Sequence, residues 1–257
     1  MGNTKEIADH LIKQHREKKP FTNLKDDLRP ISTEQAYLAQ LEFQARASRG
    51  PLGGFKIGLT SRAQQELCGI DTPIAGGIFS KEIFCNNHQI CLEEYHGLGL
   101  EFELAFQISN DILPNDTEFS EANVLSHVSN VYPAFELIID RDADYKNLDA
   151  LTIIADNSWS AGVVLGDPIP DWQSLNLNAL NASLYWNFEP KMHAQIKSAN
   201  PIGSLAWIIH HLRKLHMKIP QNSIIMTGSV LQTRKPMKGD EIIYEIESHS
   251  KVAIKVI

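Results

Sequence analysis

Between Gly97 and Ile108 the chain alternates apolar residues with small or polar ones. Leu98, Leu100, Phe102, Leu104, Phe106 and Ile108 form one series, and Gly99, Glu101, Glu103, Ala105 and Gln107 form the other. A period of two predicts a β-strand, and here it sets Glu101 and Glu103 together on one face. The stretch VYPAFELIIDR puts Ala134, Glu136, Ile138 and Asp140 on a common face, so Glu136 has the geometry to join the other two. Near the N-terminus the spacing is helical. Ile7, Ala8, Leu11 and Ile12 predict a helix stopped by Pro20. A second helix is expected from Ser32, in a capping box with Gln35, through Tyr37, Leu41 and Ala45 to Gly50-Pro51.

From about Gly53 the pattern changes to short strands, glycines and turns. A strand over Gly53 to Thr60 is followed by a short helix over Ser61 to Leu67 that closes at Gly69. Ser120 is expected to open a helix through Val124 and Val128. LTIIADNSWSAGVVLG reads as a buried strand with a polar interruption, and Pro201 begins a helix with Leu205, Ile208, Ile209 and Leu212 on its buried side. The C-terminal stretch is strand, turn, strand, turn, strand. Helices first, then mostly strands, favour a β-rich mixed-sheet α+β protein over a regular βαβ sheet. The expected division is an N-terminal helical region over residues 1–52 and one domain over 53–257.

Composition narrows the functional classes. With 257 residues, 43% of them hydrophobic and 21% charged, the chain can bury a substantial core and is not expected to be disordered. A formal charge of −7 without a basic cluster argues against nucleic acid and against an anionic membrane surface, leaving small molecules or protein partners. Cys68, Cys85 and Cys91 are odd in number and lack a C-x-x-C, so neither a disulfide framework nor a thiolate zinc site is suggested. No signal core or transmembrane run is present, and a reducing cytoplasm is the expected setting.

The chemistry follows from the charged residues inside apolar stretches. Two carboxylates held close on a rigid strand repel unless they share a cation or a proton. Donors made only of carboxylate oxygen select a hard cation, Mg²⁺ or Mn²⁺, over zinc. A solvated sheet face that carries glutamates without function has the same alternation. None of the ten histidines offers an H-E-x-x-H pair, and His96, just before the strand, is not expected to be a ligand. Lys56 lies between Phe55 and Ile57. A lysine there must pair or lose its proton, and either condition suits an anionic substrate; a strand-end lysine snorkelling to water is the alternative. Asp156-Asn157-Ser158 reads either as a functional interruption or as a turn satisfying its own backbone.

GFKIGLTS, GIDTPIAGGIF, LEFELAF, AFELIIDR, DNSWSAGVVLG, NPIGSLAWI and GDEIIYEIESHSKVAIKV, in this order from Gly53 to the end, resemble the hydratase and decarboxylase branch of the fumarylacetoacetate hydrolase superfamily. The resemblance implies a fumarylacetoacetate-hydrolase-like catalytic domain over 53–257, with Mg²⁺ or Mn²⁺ held by Glu101, Glu103 and Glu136. It also implies Lys56 in the substrate pocket and Asn157 beside the substrate. The implied reaction chelates a small 2-oxo acid through the metal, after which water adds to a 2-hydroxy-2,4-dienoate derived from aromatic compounds. Decarboxylation of a 2-oxo-3-enedioate and a catalytically silent partner subunit are the alternatives. A homo-oligomer, with a sister hydratase or decarboxylase as a further partner, is implied as well. Two departures stand out. Thr72-Pro73-Ile74 replaces a Q-P-D loop common among the hydratases, and Trp159 replaces a small residue after the DN pair and narrows the expected pocket.

Overall fold

The structure, a computed structural model, describes residues 4–116 and 119–257. Helix α1 (Thr4–Arg16) buries Ile7, Ala8 and Leu11, and α2 (Thr33–Arg46) follows with Ser32 as its N-cap. The Ser32 hydroxyl accepts from Gln35 N, but the Gln35 side chain accepts from Ile31 N, one residue short of a reciprocal box. That box occurs instead at α3 (Arg62–Cys68), where Ser61 and Gln64 exchange both bonds and Gly69 closes the helix at φ 71.

The strands among the described residues are β1 (Leu52–Gly58), β2 (Ile74–Phe79), β3 (Ile83–Phe84), β4 (His88–Ile90), β5 (Leu98–Ile108), β6 (Val128–Ile139), β7 (Ser160–Leu165), β8 (Asn181–Trp186), β9 (Met192–Gln195), β10 (Ile224–Met226), β11 (Glu241–Ile246) and β12 (Ser250–Val256). Helix α4 (Ala150–Ala155) precedes β7, and α5 (Pro201–Lys214) precedes β10. They form two mixed sheets, in the orders β2-β1-β10-β5-β6-β7-β3 and β4-β12-β11-β8-β9. This is the β-rich α+β arrangement expected.

Two local expectations are corrected. The apolar run LTIIA is not strand but helix α4, because Asp149 accepts from Thr152 N and caps it. A short apolar run fits either period, and the cap decides. The helix expected from Ser120 shrinks to a 3-10 turn over Val124–His127. The Asn123 side chain accepts from Ser120 N and closes a tight turn, and Val128 already pairs with Ile108 in the sheet.

The main core lies on one side of the larger sheet, where Phe102 of β5 and Phe135 of β6 meet Tyr244 of β11 at ring separations of 5.9 and 6.4 Å. The series Leu98 to Ile108 belongs to it. The opposite side carries a smaller apolar cluster of Ile78, Ala105, Ala134, Val163, Ile224 and Met226, with the glutamates beside it. Helix α2 is stitched to β2 and to α4, since Gln40 Nε2 donates to Ala75 O at 2.8 Å and to Ile154 O at 2.7 Å. Gly54 permits the close parallel approach of β1 to β10, for a Cβ there would run into the carbonyl of Ile224. Among the described residues no helix is long and apolar enough to cross a membrane.

Candidate active site

The antiparallel register of β5 and β6 places Glu101 directly opposite Glu136, while Glu103 faces Ala134. All three carboxylates therefore leave the sheet on one side, and each offers an oxygen within 4.8 Å of the others. Glu103 and Glu136 are fully buried. Glu103 Oε2 accepts from Thr227 N and Gly228 N, both at 2.8 Å, at the turn that follows β10. Its Oε1 has no partner. Thr233 Oγ1 donates to Glu101 Oε1 at 2.7 Å. Lys56 Nζ sits 2.9 Å from Glu136 Oε1, a buried ion pair, while Glu136 Oε2 receives no hydrogen bond.

The electrostatics are those of a site short of positive charge. Burial, opposed by the ammonium of Lys56, pushes the Glu136 carboxyl up to about 7. Burial and then the charges of Glu136 and Glu101 push Glu103 well above the usual carboxylate range. Burial pulls Lys56 down, but Glu136, Glu101 and Glu103 outweigh it and hold its ammonium charged. With all three carboxylates ionised, the one ammonium would leave two negative charges uncompensated. Buried lone pairs without donors are rare in folded proteins, and here they converge. A divalent, oxygen-seeking cation fits this donor set in charge, ligand type and number.

Beside the carboxylates lies a chamber of about 130 Å³ lined by Lys56, Glu101, Tyr145, Ser158, Trp159 and Thr233, with aliphatic side chains completing the wall. Glu101, Tyr145 and Thr233 also line a wider cleft of about 1220 Å³ leading away from it. Of the residues expected from the sequence, Glu101, Glu103, Glu136 and Lys56 are brought together. Asn157 is not. Its side-chain oxygen accepts from Gly77 N and Gln44 Nε2, both at 2.8 Å, and its nitrogen donates to Gly77 O at 2.9 Å. The amide of Asn157, the residue expected beside a substrate, clamps β2 to α2, and the next residue, Ser158, lines the chamber. His96 pairs with Asp142 at 3.0 Å, away from the carboxylates.

Asn157, Ser158 and Trp159 are three successive residues with left-handed backbone, at φ 53, 52 and 60. Such a run costs free energy and persists only where the surroundings impose it. Buried Asp156 supplies the anchor, accepting from Arg141 Nη2 and meeting His15 Nε2, each at 2.5 Å. Burial would raise its pKa, but His15 and Arg141 hold the carboxyl below its ordinary value. On the other side the segment lies so close to β2 that a Cβ at Gly76 would meet Asn157 O at 2.6 Å.

Sequence reasoning missed the Thr227 and Gly228 amides, Thr233 and Tyr145, and it flagged Ser158 only as part of the Asp156-Asn157-Ser158 interruption. One signal was present: the T-G-S that follows the apolar run IIM, whose Gly228 has φ 100. That turn aims two N–H groups at Glu103.

No family model matches the chain. It is 31% identical over 249 residues to a 2-oxo-hept-4-ene-1,7-dioate hydratase of Escherichia coli, covering 91% of this chain and 90% of that protein. It is 29% identical over 230 residues to a 2-keto-4-pentenoate hydratase of Paraburkholderia xenovorans (strain LB400), covering 88% and 84%. Among solved structures, 4-oxalocrotonate decarboxylase from Pseudomonas putida G7, complexed with magnesium and adipate, has the same fold, with a TM-score of 0.88, 22% identity and coverage of 99% and 97%.

Proposed function

Because the chain belongs to the hydratase and decarboxylase branch of the fumarylacetoacetate hydrolase superfamily, we propose that it is a metal-dependent lyase that adds water to a 2-hydroxy-2,4-dienoate. The observation that carries this reading is the convergence of three carboxylates, with unpartnered buried oxygens, on one point beside Lys56 and a largely apolar chamber. Glu101, Glu103 and Glu136 would hold Mg²⁺ or Mn²⁺. Such a cation would supply Lewis-acid chemistry, stabilising negative charge that develops on a 2-oxo acid beside the three carboxylates.

The chain's own groups do the rest. Glu103 is fixed by the Thr227 and Gly228 amides and Glu101 by the Thr233 hydroxyl, so the donor oxygens are positioned in advance. Lys56, kept as an ammonium, lines the chamber and can deliver a proton to the terminal carbon of the dienol, leaving the adjacent carbon open to water. Its apolar surroundings keep other water away from the reacting carbons. Lys56→Met is expected to leave the fold intact and lower kcat by roughly 100-fold or more; turnover within a factor of about three of the parent removes Lys56 from the chemistry.

Decarboxylation of a 2-oxo-3-enedioate is the second reading, favoured by Ile74, an apolar side chain lining the chamber where an acid would assist water. A time course with Mn²⁺ on both compounds separates the two. Hydration consumes 2-hydroxypenta-2,4-dienoate without gas, while decarboxylation releases CO₂ from the enedioate. Inactivity on both rejects the substrate assignment, and calorimetric titration with Mn²⁺ alone tests the silent partner subunit, which need not bind the ion. The reading includes a homo-oligomer, alone or with a sister hydratase or decarboxylase, in a cytoplasm that keeps Cys68, Cys85 and Cys91 as free thiols.

A further inference from the structure

A metal anchored by the three glutamates would specify only the 2-oxo-acid end of a substrate; the chamber beside it bears on the tail. Leu59, Leu67, Ile74, Ile138, Leu148 and Ile153 supply its walls. Trp159 adds an aromatic surface, packed edge-on against Phe21 at 5.1 Å and Tyr145 at 6.0 Å between ring centroids. The Tyr145 hydroxyl is already engaged, donating to Asp140 Oδ2 at 3.1 Å.

Among the described residues that line the chamber or the wider cleft, Lys56 is the one cation, and it is committed to Glu136 at 2.9 Å. The cleft adds a further acid, Glu121. Lys25 and Arg29 line a separate cavity that shares only Cys68 and Leu148 with the chamber, and Arg29 is held there by Asp149 at 3.1 Å. A carboxylate at the end of a tail would therefore exchange its hydration for aliphatic walls, the neutral amide of Gln64 and neighbouring negative charge, with no cation to balance it; the Ser158 and Thr233 hydroxyls already donate to Ala75 O and Glu101.

We propose that this chamber selects 2-oxo acids, or their dienols, with a short uncharged tail and rejects tails that end in a carboxylate. The inference rests on the lyase reading above and goes further, since the Escherichia coli relative at 31% identity is named for a dioate and the Paraburkholderia relative at 29% for a pentenoate, so that identity alone does not choose the tail. It also tells against the enedioate alternative, the reading that Ile74 taken alone favours.

The test uses the full chain loaded with Mn²⁺ and two unreactive probes, 2-oxopentanoate and 2-oxohexanedioate, titrated by calorimetry. The dioate is expected to bind about 100-fold more weakly or worse. Leu67, 48% exposed on α3 and lining the chamber, is the place to add a countercharge without opening the core. Leu67→Arg should narrow the gap to about 10-fold by tightening 2-oxohexanedioate more than 2-oxopentanoate. Equal or tighter binding of the dioate by the parent overturns the proposal, as does a gap that Leu67→Arg leaves untouched. If neither probe binds while Mn²⁺ does, the 2-oxo-acid reading itself falls, and the tail preference with it.

Discussion

Glu103→Gln is expected to weaken Mn²⁺ binding by at least about 100-fold while making the metal-free protein more stable at pH 8. The carboxamide oxygen can still accept from Thr227 and Gly228, so the turn after β10 keeps its anchor. What disappears is a buried negative charge beside those of Glu136 and Glu101. The sign follows from linkage. The folded-state pKa of Glu103 lies above its ordinary value of 4.5, so its favourable contribution is complete below that pH and is lost as pH rises through the folded pKa. Glutamine does not titrate and escapes that loss. The melting temperature of the metal-free variant should exceed that of the parent by about 5 °C at pH 8, with the difference shrinking toward pH 5. Saturating Mn²⁺ should reverse the order at pH 8, because only the parent gains the binding free energy. Scanning calorimetry at both pH values, with and without the ion, checks all of these. Equal stability of the two metal-free proteins at pH 8 would falsify the buried-charge account.

Asp156→Ala should be the most damaging single change to the scaffold behind the chamber. It leaves the guanidinium of Arg141, which is 1% exposed, without its carboxylate. Breaking a buried ion pair from one side costs about 3–5 kcal/mol, which for a chain of this size lowers the melting temperature by roughly 10 °C. Asp156→Asn keeps an acceptor for Arg141 and should fall between variant and parent. The functional consequence is specific. Asp156 anchors the left-handed run Asn157–Trp159, and that run presents Ser158 and Trp159 to the chamber, whereas the metal ligands stand on β5 and β6. Affinity for 2-oxopentanoate should therefore fall by about 10-fold or more in the Mn²⁺-loaded variant, with affinity for Mn²⁺ little changed. Parallel loss of both would mean that the clamp supports the metal ligands instead.

Much of this site could be read before any fold was known. The alternation around Glu101 and Glu103 prescribes a strand with both carboxylates on one side, because successive side chains on an extended backbone must point in opposite directions. Glu136 follows from its own segment by the same rule, and Lys56 from the mismatch between a charge and its apolar neighbours. These inferences depend on residues a few positions apart. LTIIA lacked such a resolution, since four apolar residues and a threonine suit either period until the Asp149 cap selects helix.

The sequence by itself determined which side chains share a face, that two like charges stand together there, and which class of cation such oxygens prefer. Tertiary structure alone decided who stands opposite whom. The β5–β6 register brought Glu136 to Glu101, and a turn 124 residues away in sequence supplied the first amide to Glu103. The backbone of three left-handed residues turned Asn157 into a clamp and Ser158 toward the chamber. Local periodicity follows from the sterics of neighbouring residues, whereas register, burial and the direction of a strained loop emerge only when distant segments pack together.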